Sequence, residues 1–478
     1  MRKVLGAMLG AFVSLGCVLA IDPPANIQSF ISASPPSAPP GAQLLPIRAM
    51  SMQVSAGSQI AQAQFRTDPR TPQAGQLVYQ AQSTQGPPDA TQPVYPIVPS
   101  VQIATNPELI YSEQDFSSPF WFNADYLLWW VKGAPVSVPL VTTGDPNVGF
   151  PLTNSAGGIG QAGTRVLYGN STAGFNALSG MRFTLGGWIG RDRIWGIEAS
   201  GFVTQRQSNQ FIASSDANGN PPLYFPAFNV SANEERGLPI SDPLRLFAGD
   251  VTVRNTIQFG GYEINALYAA TRRNGFNATV LAGFRYMQLN EQLQIHNLTT
   301  DLLFSNITVS DDLFQTRNEF YGGQVGARLG WNRERLSLQL TGKIALGGTR
   351  QTTTIEGTTT QTELPGGFAP TPGTFNSGIY AQASNIGQRS TTAFSVIPSL
   401  DVKLGYQITP RLRGTVGYDF MYWSNVVRPG NLLDHNVNQT QSPVFGSGTL
   451  VGPAVPAPQS ANSGFLAHGV SFGLQLSY

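Results

Sequence analysis

Phe465-Leu466-Ala467-His468-Gly469-Val470-Ser471-Phe472-Gly473-Leu474-Gln475-Leu476-Ser477-Tyr478 alternates without a break. Successive side chains of an extended chain point to opposite sides. Leu466, His468, Val470, Phe472, Leu474, Leu476 and Tyr478 therefore share one face, and Phe465, Ala467, Gly469, Ser471, Gly473, Gln475 and Ser477 the other. An apolar face backed by a small and polar one suits a strand that crosses a bilayer. Such a strand takes about 9–11 residues and must pair on both edges, because hydrocarbon offers no partner to a bare N–H or C=O. A final aromatic ring is a familiar feature of the closing strand of bacterial outer-membrane barrels. A half-buried edge strand of a soluble sandwich alternates in the same way, so the choice falls to the rest of the chain.

Composition favours the membrane. Asp, Glu, Lys and Arg make up 12 % of the 478 residues, about half the usual share, while glycine is abundant and aromatics reach 10 %. This suits a lipid-facing exterior around an uncharged polar interior. A net charge of +1 gives no support for a nucleic-acid partner. Met1-Arg2-Lys3, the apolar run Val4 to Ala20 and the small residues before Ile21 read as a secretory signal over 1–20. Cleavage before Cys17, as in a lipoprotein, wants leucine at the position Ser14 holds. Cleavage after Ala20 removes the sole cysteine, and with it disulfides, thiolate metal sites and cysteine nucleophiles.

Residues 21–115 are rich in Pro, Gln, Ala and Ser, as in Pro35-Pro36-Ser37-Ala38-Pro39-Pro40. They cannot bury a core and read as a disordered periplasmic spacer. From 118 to 478 the chain resolves into strands at about 120–131, 180–190, 194–205, 254–270, 276–292, 315–331, 335–349, 391–408, 411–425 and 464–478. Tight turns at Arg191-Asp192-Arg193, Thr271 to Gly275, Asn332-Arg333-Glu334 and Thr409-Pro410 alternate with long loops. That asymmetry marks an up-and-down transmembrane β-barrel, and an even strand count puts both termini in the periplasm. Segments such as Thr164 to Tyr168 and Leu244 to Val253 offer an extra hairpin, which would make twelve strands instead of ten.

Parity then separates lipid from lumen. Leu336, Leu338, Leu340, Ile344 and Leu346, with Leu412, Val416, Tyr418, Phe420 and Tyr422, face lipid. Asp125, Arg182, Glu198, Glu263, Arg285, Arg328, Lys343, Asp401, Lys403 and Asp419 take the opposite parity. There each avoids a cost on the lipid face of up to about 2–4 kcal/mol. Gly260-Gly261 interrupts the fourth strand and predicts a bulge. Phe120-Trp121-Phe122 and Tyr126 to Trp130 read as interfacial girdles.

Phe120 to Trp130, Gly163-Thr164-Arg165-Val166-Leu167-Tyr168-Gly169, Gly187-Trp188, Phe394-Ser395-Val396-Ile397-Pro398 and Tyr422-Trp423-Ser424-Asn425-Val426-Val427-Arg428-Pro429-Gly430 occur in an order that resembles the planctomycete family of putative β-barrel porins numbered seven. The resemblance runs from about 118 to 478. It implies an outer-membrane barrel, carries no catalytic residues, and implies porin-like passage of ions or small solutes.

The residues themselves offer little other chemistry. Of three histidines, His468 falls on the lipid face near the outer interface, while His296 and Asp434-His435 fall at the extracellular rim. An Asp–His pair there suits water activation, but neighbours in a strand point apart. Asp311-Asp312 and Glu234-Glu235 read as solvated loop charge before they read as a calcium site. No spacing suits a transition metal, and Gly157-Gly158-Ile159-Gly160 lacks the context of a phosphate loop. The expected chain is a non-enzyme without cofactor. Its partners are outer-membrane lipid and, through closing-strand residues Phe472, Leu474, Leu476 and Tyr478, the barrel-assembly machinery. Width opposes the porin reading: eight strands enclose a lumen that side chains fill, and open channels come at about 16–18. Ten strands with balanced charge suit a closed structural or surface-interaction barrel that presents loops outward, but because the resemblance is specific, porin-like passage is the leading expectation and the closed barrel its alternative.

Overall fold

Ten strands pair edge to edge until the last meets the first. The computed structural model describes residues 119–478 apart from 154, 368, 370 and 371; the expected signal segment, with Cys17, and the spacer over 21–115 lie outside the described residues. The strands are β1 (Phe120–Val131), β2 (Leu178–Ile189), β3 (Trp195–Thr204), β4 (Phe247–Arg273), β5 (Phe276–Asp301), β6 (Asn306–Arg333), β7 (Leu336–Glu363), β8 (Gly387–Thr409), β9 (Leu412–Val427) and β10 (Asn462–Ser477). Each is antiparallel to the next. The seam pairs β10 with β1 in unbroken register from Trp121 opposite Ser477 to Val131 opposite Ala467. Closure leaves no edge inside the bilayer, which a membrane sheet requires.

Alternation sets the outer surface. Phe472, Leu474 and Leu476 are about half exposed, as are Leu336, Leu338, Leu340, Ile344 and Leu346 on β7 and Val416, Tyr418, Phe420 and Tyr422 on β9. His468 is held at the loop-side end of this band by a 3.0 Å hydrogen bond between its Nδ1 and the Tyr418 hydroxyl, with Trp130 stacked on its ring. Trp129 departs from the girdle reading. It points inward and is buried, as strict alternation with Trp130 demands. Substituting Phe472 and Leu474 together with arginine puts two charges on lipid at about 2–4 kcal/mol each near the midplane. Such a protein is expected to lose the heat-modifiable folded form seen on electrophoresis, whereas Ser471→Thr on the inner face is expected to keep it.

Gly260 and Gly261 carry no bulge. Their register against Gln288 and Met287 is continuous, and the irregularity lies near Ala270 instead. Glycine serves close approach here: a Cβ on Gly261 would stand 2.5 Å from the Tyr286 carbonyl.

The ring stays at ten because one extra segment joins a cap on the loop side and the other lengthens β4. Arg165–Ala173 pairs with Ala134–Thr143 in a second sheet that also takes Leu223–Asn229, Glu234–Ser241 and Asn436–Val437. Leu244 lies in the turn closed by Asp242 and Phe247, and β4 begins at Phe247. The long loops are thus largely folded. β4 to β7 run 26 to 28 residues, far beyond the 9–11 or so a bilayer takes, and form a wall against which the cap packs. Val251, Val253, Leu293, Ile295, Phe314 and Ile355 of that wall join Leu140, Phe225, Ile240, Tyr380 and Leu432 in one buried apolar core.

Candidate functional site

The barrel interior is filled in tiers, each set by which inward positions fall at one height. Nearest the tight turns is a polar vestibule of about 190 Å³, with Trp121, Trp188, Gln339, Arg413 and Gln475 among its lining.

The ten charges singled out by parity come next, and Arg182, Glu198, Arg328, Lys343 and Lys403 are among the side chains that line this cavity. Arg182 on β2 reaches Asp125 on β1 at 2.9 Å, Asp419 on β9 at 2.7 Å and Asp401 on β8 at 3.4 Å. Lys403 adds a second cation to Asp125 at 2.7 Å. Arg328 grips Glu198 across the lumen with two contacts of 2.6 and 3.0 Å, while the Trp121 indole N–H donates to the same carboxylate at 3.1 Å. Arg285, at 2.7 Å, and Lys343 share Glu263. Five cations and five carboxylates are thus brought together in one tier as three paired groups. Asp401 and Asp419 stand directly opposite one another on adjacent strands, a repulsive placement that Arg182 bridges. Gly473 makes the room: a Cβ there would lie 2.0 Å from Asp125 Oδ1.

The third tier is apolar. Trp129 packs on Phe202 and Phe259, with ring centroids 5.2 and 6.1 Å away, and Phe259 meets Phe465 at 5.1 Å. Met287, Leu289, Phe320 and Trp423 complete the layer. A cavity of about 70 Å³ separates this layer from the charges. The Trp129 indole N–H joins the two tiers by donating to Asp419 at 3.3 Å.

A fourth tier, which sequence reasoning missed, is a buried pair between Arg428 and Glu291. Arg428 is wholly buried, and its guanidinium also lies over the Phe465 ring. Next to it Asn318 fixes the chain with reciprocal hydrogen bonds to Val427, accepting from its N–H at 2.8 Å and donating to its carbonyl at 2.9 Å. The available signal was Arg428-Pro429-Gly430 directly after a strand, an arginine at a turn with no nearby acid in sequence.

The cap closes the stack. Asp312 is not a solvated loop charge, as the reading of Asp311-Asp312 had it, but is fully buried. Its carboxylate accepts from the backbone N–H groups of Ile379, Tyr380 and Ala381 at 2.9 to 3.2 Å. Burial pushes its pKa up to about 7, against the pull of those amides. The β7–β8 loop is thereby anchored to the wall.

The histidines do not assemble a water-activating site with their sequence neighbours. His435 meets Glu235 at 3.0 Å, while Asp434 accepts from the Asn436 and Ala457 N–H groups. His296 sits across from Asp311 on the outer side of the wall at 2.9 Å, and the hydrogen bond raises its pKa. Among the described residues, no group of three His, Cys, Asp or Glu side chains is placed to hold a metal ion.

The family described as Putative beta barrel porin-7 matches residues 121–478. No curated protein matches the sequence. Solved structures with a similar outline include the outer membrane protease OmpT from Escherichia coli, 9 % identical over 75 % of this chain and 97 % of that one with a TM-score of 0.36. A Pseudomonas aeruginosa FadL homologue is 9 % identical over 75 % and 89 % with a TM-score of 0.20, and the CymD monoaromatic hydrocarbon channel 7 % identical over 76 % and 89 % with 0.16.

Proposed function

As the chain belongs to the putative beta barrel porin-7 family, we propose that it is an outer-membrane barrel, closed at rest, which stands its folded cap on the outer surface with both termini in the periplasm. It works as a structural or surface-interaction barrel and not as a standing-open pore. One observation carries this reading: paired charges, an aromatic layer, a buried ion pair and the cap core lie in series along one axis, and an ion would have to displace all four. Porin-like passage of ions or small solutes is the second reading. The vestibule on the turn side favours it, and it requires the charge, aromatic and Arg428–Glu291 layers to open as well as the cap.

Single-channel recording of the purified protein in a planar bilayer tests the choice, with no conductance steps expected for the wild type. Arg328→Ala separates the readings further. In a closed barrel it strands the Glu198 carboxylate, with an expected loss of about 3–5 kcal/mol and no conductance. In a water-filled pore it would leave stability nearly unchanged and shift selectivity toward cations; a stable, conducting variant would overturn the closed reading. Orientation is checked by tags. Inserted after Ala217 or Leu303 they are expected to be labelled on intact cells, and after Asn274 or Glu334 only once the outer membrane is permeabilised.

A further inference from the structure

The four tight turns share a feature that closing a barrel does not require. Arg191 and Arg193 lie between β2 and β3, Arg272 and Arg273 end β4, Arg333 and Arg335 flank the β6–β7 turn, and Arg411 precedes β9. Against these seven stand only Asp192 and Glu334. The charge tier of the lumen, by contrast, is balanced, with its five cations facing five carboxylates. The excess of positive charge therefore gathers at the turn end of the barrel, where Arg413 also lines the vestibule.

Its height on the barrel gives it a meaning. Phe120, Trp195, Phe276, Trp331, Tyr406 and Tyr478 are exposed at the same end of the strands, the belt where an apolar surface meets headgroups. Arg273 is paired directly with Phe276, and Arg333 with Leu336. The Arg411 guanidinium lies 5.0 Å from the centre of the Tyr478 ring. Arg191, Arg273, Arg333 and Arg411 are all exposed. They stand just beyond the belt, at the depth of lipid phosphates. Guanidinium matches phosphate with two parallel hydrogen bonds. The arginines are also spread over all four turns and not gathered in one patch, which suits a ligand that surrounds the barrel.

We propose that the turn rim is a binding surface for the headgroups of anionic phospholipids in the adjoining leaflet. This rests on the membrane placement above, but not on whether the lumen is closed.

Trp195 and Trp331 lie in the belt, so lipids brominated near the headgroup end of their chains report occupancy by quenching tryptophan fluorescence. The full chain is reconstituted in phosphatidylcholine with brominated phosphatidylglycerol or brominated phosphatidylcholine as the probe. The wild type is expected to prefer phosphatidylglycerol by roughly threefold or more, since an arginine near an anionic surface is worth about a fivefold gain in binding. The preference is expected to fall toward one in 0.5 M salt (about a 4 Å screening length) and in R191S/R273S/R333S/R411S, whose folding is checked by heat-modifiable mobility. Equal quenching by the two lipids at low salt overturns the proposal, and so does a preference that the quadruple variant keeps. If E108Q/E113Q/D115N creates a preference the wild type lacks, the ring's occupant is the chain's own acidic segment and the lipid proposal fails. Failure of the wild type to insert in either vesicle would overturn the membrane placement itself.

Discussion

Arg182→Ala is expected to lower unfolding stability by about 3–5 kcal/mol, the range for removing one partner of a buried ion pair. Arg182 contacts three carboxylates at once, so no other single change removes as many pairings in this tier. Lys403 would still serve Asp125. Asp401 and Asp419, however, would face each other across adjacent strands without the cation between them. Arg182→Lys is expected to fall between wild type and alanine, because one ammonium cannot reach three partners in the way a planar guanidinium does. Adding Asp401→Asn and Asp419→Asn to Arg182→Ala is expected to recover much of the loss. Urea unfolding in detergent micelles reads all of these. An Arg182→Ala protein as stable as wild type would mean that water already solvates the network, which a closed lumen does not allow.

The second large effect is expected from Trp129→Ala combined with Phe259→Ala. Each truncation of a buried aromatic costs about 3–5 kcal/mol. The two rings touch, so the combined loss is expected to be less than the sum. Trp129→Phe is expected to be milder, keeping the ring but dropping the hydrogen bond to Asp419. Conductance of the double variant is expected to stay near zero, because the charge tier below and the Arg428–Glu291 pair and cap above still lie in series. Steady channel activity on removal of these two rings would identify the aromatic layer as the sole gate.

What could be read in advance follows from geometry. A period of two is a local property, so the faces of β7, β9 and β10 were legible residue by residue, and each of the four tight turns announced a hairpin; the choice between ten strands and twelve stayed open until the ring was seen to close. The cap was not legible. Ala134–Thr143 is interrupted by Pro135 and Pro139, and its Leu140, Val141 and Thr142 are buried in succession, so it shows no alternation and reads as loop. Asp312 looked like one half of an exposed acidic pair because sequence does not reveal that three backbone amides converge on it from residues 379 to 381. Glu291 and Arg428 are far apart in the chain and meet only when the ring closes. Trp129 was misread for a simpler reason: in an aromatic cluster, composition suggested a girdle where parity assigned alternate rings to opposite sides.

The long wall also bears on how the chain assembles. β4 to β7 are joined by short connections, so each zips against its sequence neighbour with little loop to close. The seam pairs Trp121 with Ser477, close to the two ends of the described chain. Loop-closure entropy and contact order make local hairpins fast and distant pairings slow. The four-strand wall is therefore expected to form early as an open sheet, with the seam zipping last. Until then β1 and β10 are bare edges, and the rate at which they meet sets how long the chain stays prone to misassembly.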